Sequence, residues 1–169
     1  MRALEDIEEI KQLKARYCFL VDTKRWADWR ALFTDDCTFD FPLPFGPDVT
    51  PDEFVAGAAS SLDKVRSVHQ VHSPVIDLLG PDSARGVWAM FDWLELPPDH
   101  PASDGHPHRL GYGYYEEEYR RESGSWRIAF MRLTRLRVDR LGPDALVPVD
   151  DTGTPPDPAS WLGSPPRPR

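Results

Sequence analysis

The stretch RGVWAMFDWLEL, Arg85 to Leu96, reads as a β-strand with one misfit. Strand side chains alternate, so Gly86, Trp88, Met90, Asp92 and Leu94 share one face while Val87, Ala89, Phe91 and Trp93 share the other. Both sets are apolar apart from Asp92, and the strand is expected to be covered on both sides. A carboxylate there is strongly disfavoured unless it is paired or protonated. The strand therefore predicts a layered domain and, elsewhere in the chain, a partner for Asp92.

The neighbouring sequence extends the pattern. SVHQVHSPVIDL (67–78), ARGVWAMFDWLEL (84–96), GYGYYEEEYRRE (111–122) and SWRIAFMRLTRLRVD (125–139) are four candidate strands, joined by the turns GPDS and ESGS and by the loop PPDHPASDGHPH. Upstream, Leu4, Ile7, Ile10, Leu13, Tyr17, Leu20 and Val21 recur at helical spacing, with Glu8, Glu9, Lys11 and Lys14 on the opposite side. A shorter helix is expected from Arg25 to Phe33, and a short strand and loop in TDDCTFDFPLPFG. A third helix starts at Thr50, with Pro51 at its first position and Glu53 at its third. Helices first and a meandering sheet after them imply an α+β domain, residues 1–141, with helices on one face of a mainly antiparallel sheet. Residues 142–169, rich in proline, are expected to form an extended or disordered tail.

Composition narrows the function classes. The chain has 169 residues, 40% of them hydrophobic, enough for one domain with a real core. A net charge of −8 argues against a surface that tracks nucleic-acid phosphates. Cys18 and Cys37, the only cysteines, have neither disulfide nor zinc spacing and are expected to be buried free thiols. There is no secretion-signal pattern and no apolar run long enough to span a membrane, so a cytoplasmic protein is expected.

Polar side chains at apolar positions supply the candidate site. His69 shares a strand face with Val71 and Val75, and its strand precedes that of Asp92 across a hairpin, so the two can lie side by side. Arg135 follows Ala129, Met131 and Leu133 on one face, an expensive place for a guanidinium without an anion. Tyr17 lies on the stripe of the first helix; Asp22, about 140° further round, falls off that stripe. A His held by a buried acid has one ring nitrogen fixed and the other free as a base near neutral pH, which is equipment for proton transfer. His72 falls on the opposite face from His69. His100, His106 and His108 match no metal-ligand spacing and are expected in a solvated loop, so no metal is expected.

These stretches resemble the SnoaL-like branch of the nuclear-transport-factor-2-like superfamily over roughly residues 4–140. Within it the nearest likeness is to the bile-acid dehydratases, whose site pattern falls on Tyr17 and Asp22 (Y-x-x-x-x-D), His69 (H-x-x-H-x-P), Asp92 (G-x-W-x-x-x-D) and Arg135, nine residues after Trp126. The resemblance implies a cone-shaped α+β barrel with a deep pocket, the architecture shared by scytalone dehydratase, ketosteroid isomerase and limonene epoxide hydrolase. The central loop and the PLPFG segment differ, so a steroid substrate does not carry over.

The expectation is a dehydratase acting on a hydroxylated, carbonyl-activated polycyclic or hydroaromatic molecule without a cofactor. His69 would take the proton and Asp92 would steady the imidazolium. Tyr17 and Asp22 would hold the departing hydroxyl or the enolate, and Arg135 would supply fixed charge. Trp88, Tyr112, Tyr114 and Tyr115 are expected among the pocket walls. The alternatives are isomerase or cyclase chemistry with the same dyad, or a domain that only binds a hydrophobic ligand or assembles. The acidic and basic strand surfaces in YYEEEYRRE and RLTRLRVDR suggest a homo-oligomer, a dimer or a trimer.

Overall fold

The computed structural model describes residues 2–41 and 48–146. The elements run α1 (Arg2–Asp22), α2 (Trp26–Arg30), β1 (Phe33–Asp40), α3 (Pro51–Leu62), β2 (Arg66–Leu78), β3 (Ser83–Glu95), β4 (His108–Glu122) and β5 (Ser125–Leu141). The five strands form one sheet in the order β1-β5-β4-β3-β2, with β1 parallel to β5 and every other pair antiparallel. The sheet is curved and unclosed: β1 and β2 are its two edges. The expected cone therefore forms as a wrapped sheet capped by helices, not as a sealed barrel. Residues 142–146 carry no helix or strand, and the remaining part of the proline-rich tail lies outside the described residues.

Helices cover one face of the sheet only. Gly86, Trp88, Met90 and Asp92 face inward, whereas on the outer face Val87 is 40% exposed, and Tyr112 and Tyr114, opposite Phe91 and Ala89, are 37% and 42% exposed. The expectation that the Asp92 strand is covered on both sides is thus corrected. The inner face packs against Ile10, Leu13, Tyr17, Leu20 and Val21 of α1 and a cluster of rings in which Phe39 stacks on Phe54 at 3.9 Å. Two positions of α1 depart from the periodic reading: Leu4 is exposed, and Lys14 is fully buried because its ammonium meets a carboxylate inside the sheet. Both cysteines are free and buried, and burial holds both thiols protonated, with pKa values raised to about 12.

Bulges decide which residues of the edge-side strands point inward. On β5 an extra residue sits at Ala129 and another at Leu136, shown by the register steps Tyr119↔Ile128 to Glu118↔Phe130 and Gly113↔Arg135 to Tyr112↔Arg137. Each insertion switches the inward parity, so Ile128, then Met131, Leu133 and Arg135, then Val138 and Arg140 follow one another on the inner side. Ala129 therefore does not share the face of Arg135. The irregularity between His72 and Val75 does the same on β2: Val75 is 65% exposed, and Ile76 takes the place predicted for it beside the core.

The third helix starts as its sequence requires. The Thr50 hydroxyl accepts from the Glu53 backbone N–H and the Glu53 carboxylate accepts from the Thr50 backbone N–H, a complete capping box with Pro51 at the first helical position. Replacing Thr50 with alanine is expected to cost about 0.5–2 kcal/mol, read as a lower urea midpoint with an unchanged slope.

Candidate active site

His69 is held by Asp22. The His69 Nδ1 lies 2.7 Å from Asp22 Oδ1, and the His69 backbone N–H donates to Asp22 Oδ2 at 2.7 Å. Asp22 Oδ1 also accepts from Ser67 Oγ, which in turn accepts from Lys24 Nζ, both at 2.8 Å. Asp22 is the last residue of α1, so it reaches sideways to the first residues of β2 and is not confined to the helical stripe. With Asp22 accepting at Nδ1, the ring carries its proton there, and Nε2, without a hydrogen-bond partner among the described residues, belongs to a side chain that lines a cavity. The expected pairing of His69 with Asp92 is corrected. The two are cross-strand neighbours, as the hairpin predicts, but their hydrogen-bond partners differ.

Asp92 is instead the anion of Arg135. Its side chain is 2% exposed, and Arg135 Nη2 approaches its Oδ2 at 2.6 Å. Burial works against the guanidinium, but Asp92 more than offsets it and holds the Arg135 pKa above its ordinary value. The two residues stand on β3 and β5, with β4 between them, a span of about two strand spacings or ~9.6 Å. Gly111, directly opposite Asp92, makes the contact possible: a Cβ there would lie 1.9 Å from Arg135 Nη1 and 2.2 Å from Asp92 Oδ1. Gly111→Ala is expected to drive the guanidinium off the carboxylate. The outcome is a folded protein destabilised by about 1–3 kcal/mol, measured by denaturant titration, with reduced turnover.

Tyr17 and Tyr115 meet at 5.8 Å between ring centroids, and burial keeps both phenols protonated, well above the usual range. Behind them the Lys14 ammonium sits 3.9 Å from the Tyr17 centroid and 3.7 Å from the Tyr115 centroid. It contacts Glu117, which accepts from the Tyr119 hydroxyl; Tyr119 accepts from the Trp88 indole N–H at 2.7 Å. This chain of buried polar groups braces the phenols from the far side of the cavity.

The cavity itself has a volume of about 620 Å³ and is bounded by Tyr17, His69, Asp92, Tyr115 and Arg135 together with Val21, Trp29, Phe41, Phe54 and Leu133. Of the five predicted catalytic positions, four line it and the fifth, Asp22, is bonded to one of the four. The predicted walls fare less well. Tyr115 is in place, but Trp88 is spent on Tyr119, and Tyr112 and Tyr114 lie on the outer face. Arg109 and Arg140 also border the cavity and were not anticipated; the Leu136 bulge hides the inward parity of Arg140. His108 opens β4, buried and stacked on Trp93, and is not part of a solvated loop. Among the described residues no three His, Cys, Asp or Glu side chains gather at metal-binding distance, and no helix is long and apolar enough to cross a membrane.

The sequence matches the model of the SnoaL-like domain family over residues 2–132, and the chain belongs to that family. Solved structures agree on the fold. A protein of Kribbella flavida is 27% identical and superimposes with a TM-score of 0.72, over 81% of this chain and 95% of its own. A proposed scytalone dehydratase from Novosphingobium aromaticivorans is 16% identical, TM-score 0.71, covering 87% of this chain and 98% of its own. The hexachlorocyclohexane dehydrochlorinase LinA-type3 from Novosphingobium barchaimii is 17% identical, TM-score 0.68, covering 87% and 97%.

Proposed function

We propose that this protein is a carbon–oxygen lyase that removes water from a hydroxylated, carbonyl-activated polycyclic or hydroaromatic molecule. The observation that carries the reading is an imidazole anchored by Asp22 at one nitrogen and bordering a largely apolar cavity, with the other nitrogen unclaimed among the described residues. His69 takes the acidic proton beside the carbonyl, and Asp22 balances the imidazolium that results. Tyr17 and Tyr115, protonated in the closed interior, donate to the developing enolate oxygen. Asp92 and Arg135 hold fixed opposite charges at the cavity wall, and the imidazolium returns its proton to the departing hydroxyl. Dehydratase and dehydrochlorinase are the activities in the names of two proteins of this fold, and both are eliminations, which supports the class. A panel of hydroxy-ketones followed by mass spectrometry tests the reading. The expected product has lost the mass of water, and a product of unchanged mass reassigns the chemistry to isomerisation.

A further inference from the structure

The cavity lining carries positive charge that no carboxylate among the described residues neutralises. Arg109 of β4 and Arg140 of β5 are directly opposed in the antiparallel register, and both border the same cavity as His69. Two guanidiniums in register repel each other, an arrangement sheets avoid unless an anion sits between them. Neighbouring strands elsewhere in this sheet follow that rule: Arg85 faces Glu118, and Arg132 contacts both Glu116 and Asp40. Among the described residues Arg109 and Arg140 have no carboxylate partner. Arg109 donates to the Ala102 carbonyl, while its Nε is buried without any acceptor. Burial, and then the charge of Arg140, depress the Arg109 pKa below its ordinary value. The cavity lining holds three guanidiniums against one carboxylate, Asp92, and that carboxylate is committed to Arg135. This local excess stands out in a chain whose net charge is −8.

We propose that Arg109 and Arg140 form a binding site for a carboxylate carried by the substrate, so that the molecule processed by this enzyme is an organic acid with an apolar body. The inference rests on the proposed lyase reading for the meaning of "substrate", but the binding site stands apart from the chemistry. A carboxylate between the two guanidiniums cancels the cross-strand repulsion, and the planar fork of each arginine matches its two oxygens. The site orients as well as attracts. With the acid fixed at the mouth, the body lies along Phe41, Phe54 and Leu133, and the reacting carbon is directed toward His69.

Calorimetric titration with 2-naphthoate and its uncharged counterpart 2-naphthamide tests the site. The wild-type protein is expected to bind the acid about tenfold or more tightly than the amide, the effect of a charge-assisted hydrogen bond. Arg140→Gln, at an exposed position, is expected to fold normally and to lose most of that preference, and Arg140→Lys to retain part of it. Arg109→Gln with Arg140→Gln is expected to abolish it. Acetate and inorganic phosphate are expected to bind far more weakly than 2-naphthoate, because they lack the apolar body; phosphate binding as tightly marks an unspecific anion patch and overturns the proposal. Equal binding of acid and amide, no binding of 2-naphthoate, or a preference that survives the double substitution also overturns it. The same titration on His69→Ala separates the two readings: the acid preference is expected to persist there, whatever becomes of turnover.

Discussion

His69→Ala is expected to lower kcat by about 10²- to 10⁴-fold while leaving the protein folded, because in the proposed mechanism the side chain supplies the proton transfer and it contributes little to the core. Its anchor predicts a second, distinguishing result. Asp22→Asn removes the charge that balances the imidazolium and offers an amide to Nδ1, so turnover is expected to fall although the cavity keeps its shape. Asp92→Asn acts on a different partner, leaving Arg135 without its anion, and is expected to lower turnover by itself. A wild-type rate for His69→Ala with an authentic substrate refutes the mechanism. A wild-type rate for Asp22→Asn returns the anchoring role to another group.

The largest effect on stability is expected at Lys14. Its side chain and that of Glu117 are both 0% exposed, and they form an ion pair linking α1 to the middle of the sheet. Lys14→Met preserves length and apolar volume but strands the carboxylate, at a cost of about 3–5 kcal/mol. For a domain of this size that corresponds to a melting temperature lower by roughly 6–20 °C. Lys14→Met combined with Glu117→Leu is expected to recover much of the loss, since replacing both members of a buried pair removes the uncompensated charge. Differential scanning calorimetry of the single and double variants decides the matter: equal melting temperatures for wild type and Lys14→Met show that the pair contributes no stability. Because Lys14 also lies against the rings of Tyr17 and Tyr115, the single variant is expected to loosen the phenols as well.

Much of the fold was legible because its elements obey local rules. The three helices, the Thr50 cap and the four long strands follow from periodicity, capping chemistry and turn residues, all of which act over a few positions. Tyr17, His69, Asp92 and Arg135 were legible for a related reason: each is a polar group where its element is otherwise apolar. The errors arise where the physics is not local. Helical periodicity describes the sides of a helix, and Asp22 works from the end. Lys14 looked like a surface lysine, since its counter-charge Glu117 lies 103 positions away. Strand alternation failed at the bulges, misplacing Val75 and Ala129, because an inserted residue leaves no mark on hydropathy. Asp92 was assigned to the nearer neighbour, His69. That Arg135 reaches it across an intervening strand depends on the missing side chain of Gly111, a hole that only the assembled sheet reveals.

The extra residue at Leu136 divides β5 into two independent frames. Inward positions before it include Arg135, paired with the buried Asp92; those after it, Val138 and Arg140, border the same cavity at more exposed positions. A single-residue deletion at this point would turn Val138 and Arg140 outward without disturbing Arg135, exchanging one entrance for another above an unaltered floor. Under the functions proposed above, recognition and chemistry would be separately mutable along one strand, a route by which one scaffold could be retuned to new molecules while its inner charges stay in place.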